Sequence, residues 1–509
     1  MRSTTLSRQR LRDLYPERMV SPVSAALAAL ALTRPAYAEA AAMYDGDVQE
    51  IIAAPRLSEL LAGTGSTYCV NYARTPVDVL VERTMIQGWT GDKGLLPALD
   101  LAWNDNELGI EAKDVHRRAY EYGDAYLIGW RDDDLPGKVS VYAHDPANVR
   151  VFYDPAKPRR KSHAVHTWEE VGDAEENGLG PGTWQRVSLY YPDHLERYVS
   201  ERPVVDEQGN RIVGSVDFVE FAADGDDSLI FYADEGMPDV VPVFHFRTAR
   251  PYGRPEHADA YGPQRGINKL VTSMMGSVDF HILPQRYATT ESAISGAPGA
   301  PVDPFAGTDE ALDQESSGDV FGDGSDMESG PGAVWLLSGG KVKVGEFSAA
   351  NMENFLKPKN DLVESMASVT DLPLSRFRPQ SGQAPSGESQ RMAEIPLNKK
   401  TSDRFAQFGV TWREWASWVL AVQANGTEAP TVNINVTWSP PETYSDEASW
   451  ATAKLQLEAG VPYEQVLRER GYSTELVDEW ARQRAVAQPP AAPAAPGRVA
   501  TGDTDVDGA

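Results

Sequence analysis

The chain has 509 residues, room for two or more hydrophobic cores, and an apolar content ordinary for a soluble globular protein. Its charge is not ordinary: 75 acids against 47 lysines and arginines leave −28 at neutral pH, which argues against a tight phosphate binder built on clustered Lys and Arg. The single cysteine, Cys69, excludes an intramolecular disulfide and a cysteine-based zinc site, and a reducing interior is its natural compartment.

The basic stretch Arg2–Arg18, the Ala25–Leu32 run and Ala36-Tyr37-Ala38 trace the outline of a signal peptide. Pro22 and Arg34-Pro35 weaken that outline, and the same Ala/Leu mix is the pattern of a small-residue helix packed in a bundle. No run approaches the ~20 apolar residues of a membrane span. Leu57–Gly63 reads as a short helix, Tyr44-Asp45-Gly46-Asp47 as a turn, and Pro76 sits at the first turn of a helix carrying Val77, Leu80 and Val81. Ile86–Trp89 predicts a strand. Trp103-Asn104-Asp105-Asn106 is expected to open a helix that stops at Gly123.

Strands follow over Asp124–Trp130, Lys138–Ala143, Val149–Tyr153, Ser162–Trp168, Gln185–Tyr191, Glu196–Ser200, Phe218–Phe221 and Val240–Phe246, punctuated by Asp-Pro and Pro-Gly turns. They predict an antiparallel β-rich domain. A helix over Glu256–His281 comes next, with Leu270, Val271, Met274, Met275 and Val278 on one face, and Pro284 closes it. Tyr287–Gly340 carries no Lys or Arg and offers little to bury. Within it Val334–Leu337, and after it Val342–Val344, read as two strands around a Ser338-Gly339-Gly340 turn. A second helix spans about Ala349–Val369. A Pro/Gly/Gln loop, Asp371–Gly387, leads into a third and longer helix containing Trp412, Trp415 and Trp418. Thr431–Trp438 alternates as a strand does. Ser445–Glu458, Tyr463–Arg468 and Thr474–Val486 are helical, and a Pro/Ala/Gly/Asp tail beyond Gln488 is expected to be disordered.

A search for catalytic chemistry returns nothing. The chain lacks a phosphate-cradling P-loop, a Gly-x-Ser-x-Gly elbow and a His-Glu-x-x-His pair. His163 and His166 fall on opposite faces of a strand and cannot grip one metal there. Asp132-Asp133-Asp134 reads as a solvated loop. The acidic run Asp319–Asp326 lacks the spacing of a calcium loop. The tryptophan stripe reads as core or subunit seam, with nucleic-acid stacking as the sharper alternative. No enzyme activity, catalytic residue, cofactor or metal is expected.

Two helices bracketing an insertion, then a loop on the shoulder of a long helix, resemble the stem, clip, second stem helix and tunnel loop of tailed-bacteriophage portal proteins. Local landmarks run in the same order. Tyr120–Tyr126 resembles the end of a helix and start of the first wing strands; Pro146, Tyr153-Asp154-Pro155 and His163-Ala164-Val165 follow. Val241-Pro242-Val243-Phe244 is similar to the strand before the stem, Gly262–Asn268 to the stem entry, and Pro284-Gln285-Arg286 to the exit into the clip. Pro385–Ser389 resembles the start of the long helix, and Gly460-Val461-Pro462 and Gly471-Tyr472-Ser473 the helix-turn units of the crown side.

The resemblance covers about Tyr44–Val486 and implies an α+β portal fold. The divisions are an N-terminal arm (1–43) whose order the sequence leaves open, a wing (44–254), a first stem helix (255–283) and a clip with an acidic loop (284–346). A second stem helix (347–370), tunnel loop (371–387), long helix (388–424), wing-return strand and crown helices (425–487) and a tail (488–509) complete it. It further implies a homo-oligomeric ring of about a dozen subunits at a capsid vertex of the virion, assembled in the host bacterial cytoplasm. Double-stranded DNA passes without sequence specificity; terminase, major capsid or scaffold protein and a head–tail adaptor are the other partners, and no membrane. Arg376, Arg378, Gln380 and Gln383 are candidates to contact DNA from the tunnel loop, unless the arginines pair with acids across subunits. Trp335, Leu336 and Leu337 are candidates for subunit or terminase contact in the clip. The alternatives are another connector or minor capsid protein, and a carboxylate-dependent hydrolase, which requires a cleft with two acids at fixed separation.

Overall fold

The computed structural model describes residues 22–47, 69–282, 286–290, 334–338, 343–346, 353–378, 386–426, 433–441 and 446–487, apart from short breaks at 93, 133–136, 174–177, 207–208, 213–215, 222–227, 471 and 473. The helix expected at Leu57–Gly63, the acidic run Asp319–Asp326 and the tail beyond Gln488 lie outside the described residues. The architecture is mixed helix and sheet, as an α+β reading requires.

Helix α1, Pro22–Asp45, runs unbroken through Pro35. Val23, Ala26 and Leu30, spaced at three and four, are buried against Val165, Val187 and Leu189 of a sheet. Val23, Ala26 and Leu30 are therefore the inward face of a packed helix, while Ala25, Ala28, Ala31 and Leu32 are exposed, and residues 22–43 of the segment expected as an arm have a fixed seat. Helix α2, Thr75–Arg83, starts on Pro76 as its fixed φ favours. Strand β1, Ile86–Thr90, follows. Helices α3, Leu96–Asp105, and α4, Leu108–Tyr122, correct the expectation that Trp103–Asn106 opens a helix: these residues close one. The reason is Asn106. Its amide donates to Ala102 O (2.8 Å) and Val139 O (2.9 Å) and its oxygen accepts from Val141 N (2.7 Å), which ends α3 and ties it to the sheet. Glu107, in the left-handed region at φ 51°, makes the turn.

Gly123 ends α4 at φ 89°, and a Cβ there would meet Arg254 N at 2.5 Å, so only glycine fits. Strands β2 (Asp124–Arg131), β3 (Val139–His144), β4 (Val149–Tyr153), β5 (Lys161–Val171), β6 (Thr183–Tyr190), β7 (His194–Ser200), β8 (Phe218–Glu220), β9 (Leu229–Phe231) and β10 (Val243–Arg247) make two antiparallel sheets. One has the order β10-β2-β3; the other runs β4-β5-β6-β7-β8, with β9 also paired to β7. β9, Leu229–Phe231, is unpredicted.

After a 3-10 turn at Ala258–Ala260 comes helix α5, Tyr261–Ile282. Strands β11 (Arg286–Thr290), β12 (Val334–Ser338) and β13 (Lys343–Glu346) form a separate sheet, and helix α6, Glu353–Val369, returns to pack against α5. The hairpin expected around Ser338-Gly339-Gly340 does not form. β12 and β13 lie on opposite sides of β11, β12 parallel to it and β13 antiparallel. A second 3-10 turn, Leu374–Arg376, leads toward helix α7, Gly387–Gln423. Strand β14, Asn435–Trp438, pairs with β1, and α8 (Asp446–Glu458), α9 (Tyr463–Glu469) and α10 (Thr474–Ala487) end the described chain.

The main core lies where α7 crosses the β10-β2-β3 sheet and α3–α4. Trp412 and Trp415 are fully buried and meet Trp89 and Trp103 edge-on or stacked, with ring centroids 5.1–6.5 Å apart. The stripe is core. Gly129 of β2 lets Trp418 close on the sheet: a Cβ there would lie 2.7 Å from the indole.

Candidate functional site: a helix pair, a loop and a long helix

The root of α5 is fixed by one buried amide. Gln264 Oε1 accepts from Tyr72 N (2.9 Å) and Ala73 N (3.1 Å), while its Nε2 donates to Val70 O (2.7 Å) and Asn268 Oδ1 (2.8 Å). All four polar valences of the side chain are used, inside a site of no solvent exposure. Ile267 and Val271, buried on the same face, meet Val363 and Met366 of α6 in the continuous main core.

A second fixture joins the segment before α5 to the long helix. Glu256 is buried, and its carboxylate accepts from Lys400 Nζ (2.9 Å) and Arg404 Nε (2.5 Å), one turn apart on α7. Arg404 also donates to Thr248 O (2.9 Å) and Gln407 Oε1 (3.1 Å). Two cations on one carboxylate hold α7 to the sheet edge where α5 begins.

Arg376 and Arg378 are brought to the foot of the helix pair. Arg376 faces Glu82 (3.7 Å) and Glu394 (3.6 Å), and Arg378 pairs with Glu364 of α6 at 2.6 Å. Both arginines thus meet acids of their own chain. Phe377 between them is buried and tilts against Tyr72, so the loop is pinned as far as Arg378. Gln380 and Gln383 lie outside the described residues. Glu394 is shared: Arg83 Nη2 reaches it at 3.2 Å while Arg83 Nη1 donates to Pro441 O (2.7 Å) and to Asn398. Arg83 therefore grips α7 on both sides of Pro396, the residue that cannot donate within the helix. Trp335, Leu336 and Leu337 sit on β12 in register with Tyr287, Ala288 and Thr289 of β11.

The buried and half-buried histidines work as structure. His116 Nε2 accepts from Trp412 Nε1 at 3.0 Å, and burial pushes the imidazole down to about 3. His163 stacks on Phe152, and His166 on Trp168 with His144 across from it. Burial, then the neighbouring His144, holds His166 at about 3. Burial opposes ionisation of Asp124, but hydrogen bonds from His245, Gly253 N and Tyr37 hold its carboxyl below the usual range. Among the described residues no group of three or more His, Cys, Asp or Glu is placed to hold a metal. No helix among them is long and apolar enough to cross a membrane.

Sequence reasoning missed Gln264, Glu256 and Arg83. Each is one polar residue with a partner more than a hundred positions away, which no local pattern around it reveals.

No protein-family profile matches the chain. The portal protein of Mycobacterium phage D29 is 25% identical to it over 425 residues, 81% of this chain and 78% of that protein. The portal protein of Mycobacterium phage L5 is likewise 25% identical over 448 residues, 85% of this chain and 80% of the other. Among solved structures, a chain in the neck of a native GTA particle, computed with C12 symmetry, aligns over 81% of this chain and 91% of its own length at 12% identity, with a TM-score of 0.38.

Proposed function

We infer that this chain, a relative of the tailed-phage portal proteins, is itself a portal protein: a structural component of the virion rather than an enzyme. The observation that carries the reading is similarity to two portal proteins across four-fifths of the chain. The fold supports it. α5 and α6 pack as a pair, a small separate sheet falls between them along the chain, and the Arg376 loop then leads into α7, the order expected of a stem, clip, tunnel loop and long helix.

On this reading about a dozen copies close into a ring by head-to-tail contacts, with double-stranded DNA packaged and released along its axis. The proposed boundaries are those read from the sequence: wing 44–254, stem helices 255–283 and 347–370, clip 284–346, tunnel loop 371–387, long helix 388–424, and wing-return strand with crown helices 425–487. Terminase and a head–tail adaptor dock on the clip, where Trp335, Leu336 and Leu337 are the contact candidates. Scaffold or major capsid protein surrounds the wing. Arg376, Arg378, Gln380 and Gln383 touch passing phosphates. The acid-rich composition serves this role, because it repels a polyanion and keeps contacts weak.

Negative-stain electron microscopy of the purified protein, with mass measurement in solution, tests the reading. Rings of about a dozen subunits with an axial hole are expected. A compact monomer at every concentration, and no ring when it is co-assembled with the scaffold, overturns it.

A further inference from the structure

In a chain with a net charge of −28, cations that no acid answers stand out. The connection between β4 and β5 reads Asp-Pro-Ala-Lys-Pro-Arg-Arg over 154–160. Lys157, Arg159 and Arg160 are exposed, and so is Arg250 in the loop after β10. Among the described residues none of these four forms an ion pair, whereas their neighbours Lys161 and Arg254 do, with Glu414 and with Asp259. Asp154 is turned to the backbone, its Oδ1 accepting from Ala156 N at 2.8 Å. The local acids are thus engaged. Both loops are seated on β4, the outer strand of its sheet. Tyr252 Oη donates to Val151 O (2.9 Å), the Arg150 guanidinium lies 4.0 Å from the Tyr252 ring centre, and that of Arg247 lies 4.4 Å from the Tyr153 ring centre. The turn closes on itself through Asp154 N to Arg160 O (2.9 Å) and Arg160 N to Lys157 O (2.8 Å). The four cations therefore stand on a fixed base that a partner need not order.

We propose that this patch, Lys157, Arg159, Arg160 and Arg250, seats a short, extended acidic segment of a partner protein. The inference stands on charge and placement and holds whether or not copies of the chain close into a ring. A small anion fits poorly, because the cations are exposed and the cavities around Arg468, Trp168 and Leu356 lie elsewhere. Single-stranded nucleic acid needs free aromatic faces on which its bases stack, and Tyr153 and Tyr252 already hold arginines. A duplex is long and uniformly charged, so beyond four cations it runs onto the acids of a chain at −28. An extended segment with Asp or Glu at alternate residues presents a carboxylate about every 6.6 Å on one face, suits guanidinium groups, and ends where the patch ends.

Fluorescence anisotropy of a labelled oligoglutamate peptide, titrated with the full-length protein at low and at physiological salt, tests the patch. A chain at −28 repels such a peptide unless a local patch overrides its field, so saturable binding that weakens with salt is the expected result. Arg159→Ala, Arg160→Ala and Arg250→Ala combined should weaken it about tenfold, the worth of three exposed charge pairs, with an unchanged urea midpoint. Lysine at the same three positions keeps the charge and should retain most of the affinity. No saturable binding by the unsubstituted protein, or binding that the triple-alanine protein retains in full, overturns the proposal. Displacement of the peptide by duplex DNA at equal charge concentration overturns it in favour of nucleic acid. Rings on the grid are read separately, so the patch can fail while the portal reading stands.

Discussion

Single residues hold the junctions of this fold, and their substitutions separate its contributions. Glu256 is buried under Lys400 and Arg404, so Glu256→Gln leaves two cations facing a neutral amide. Breaking a buried pair in this way costs about 3–5 kcal/mol, read as a lower urea midpoint with an unchanged slope. Gly123→Ala suffers twice, from a left-handed φ and from a Cβ 2.5 Å from Arg254 N. A loss of about 1–3 kcal/mol is expected in the same measurement. Acid acts through His116 and His166. Unfolded, an imidazole titrates near 6.5; folded, both hold out to about 3 because burial disfavours the cation. Between those values the unfolded chain binds more protons. The stability that these residues confer is therefore intact above pH 6.5 and lost as pH falls toward 3, by roughly 1.4 kcal/mol per pH unit for each imidazole. His166→Phe, which keeps a ring against Trp168, should flatten part of that slope; an unchanged slope refutes the assignment.

At the scale of elements, local pattern was informative where it decided the structure. The apolar face of Leu270, Val271 and Met274, the Pro76 helix start, the glycine stop at Gly123 and the alternation of Val149–Tyr153 all mark elements found near those positions. The pattern failed where distant partners decide. Asn106 ends α3 by reaching β3, which no window around it reveals. β12 and β13 flank a strand some fifty residues earlier than β12 rather than each other, a choice that the nearby Gly-Gly turn argues against. The loop arginines were offered as candidates by the resemblance, which places them in a tunnel loop. Their acids, Glu82, Glu394 and Glu364, come from three different helices and were not. α7 carries the largest share of aromatic packing, so Trp412→Ala opens a cavity among Trp89, Trp103 and Phe246 and removes the bond to His116. A loss of about 3–5 kcal/mol is expected by urea unfolding. A change below about 1 kcal/mol would place the stripe outside the core.

For the whole molecule the deciding quantity is charge. In the proposed ring, copies each at −28 would gather a large acidic field, and duplex DNA within it would be repelled at every point where no cation answers. Arg376 and Arg378 are already matched to acids of their own chain, so a phosphate must compete for them rather than find them waiting. The pair of Arg378 with Glu364 is half exposed and contributes under about 1 kcal/mol to stability. On the proposed reading such a pair would open at little cost as DNA passes and close behind it. Assembled rings should therefore bind duplex DNA weakly, without sequence preference and with a shallow dependence on salt, about one or two phosphates' worth per engaged subunit. Fluorescence anisotropy of a labelled duplex across a salt series reads this directly. Arg378→Ala should lower both affinity and salt slope while the urea midpoint moves by less than about 1 kcal/mol. A steep slope that survives Arg376→Ala and Arg378→Ala together would place the DNA contacts elsewhere in the ring and end the case for these two arginines.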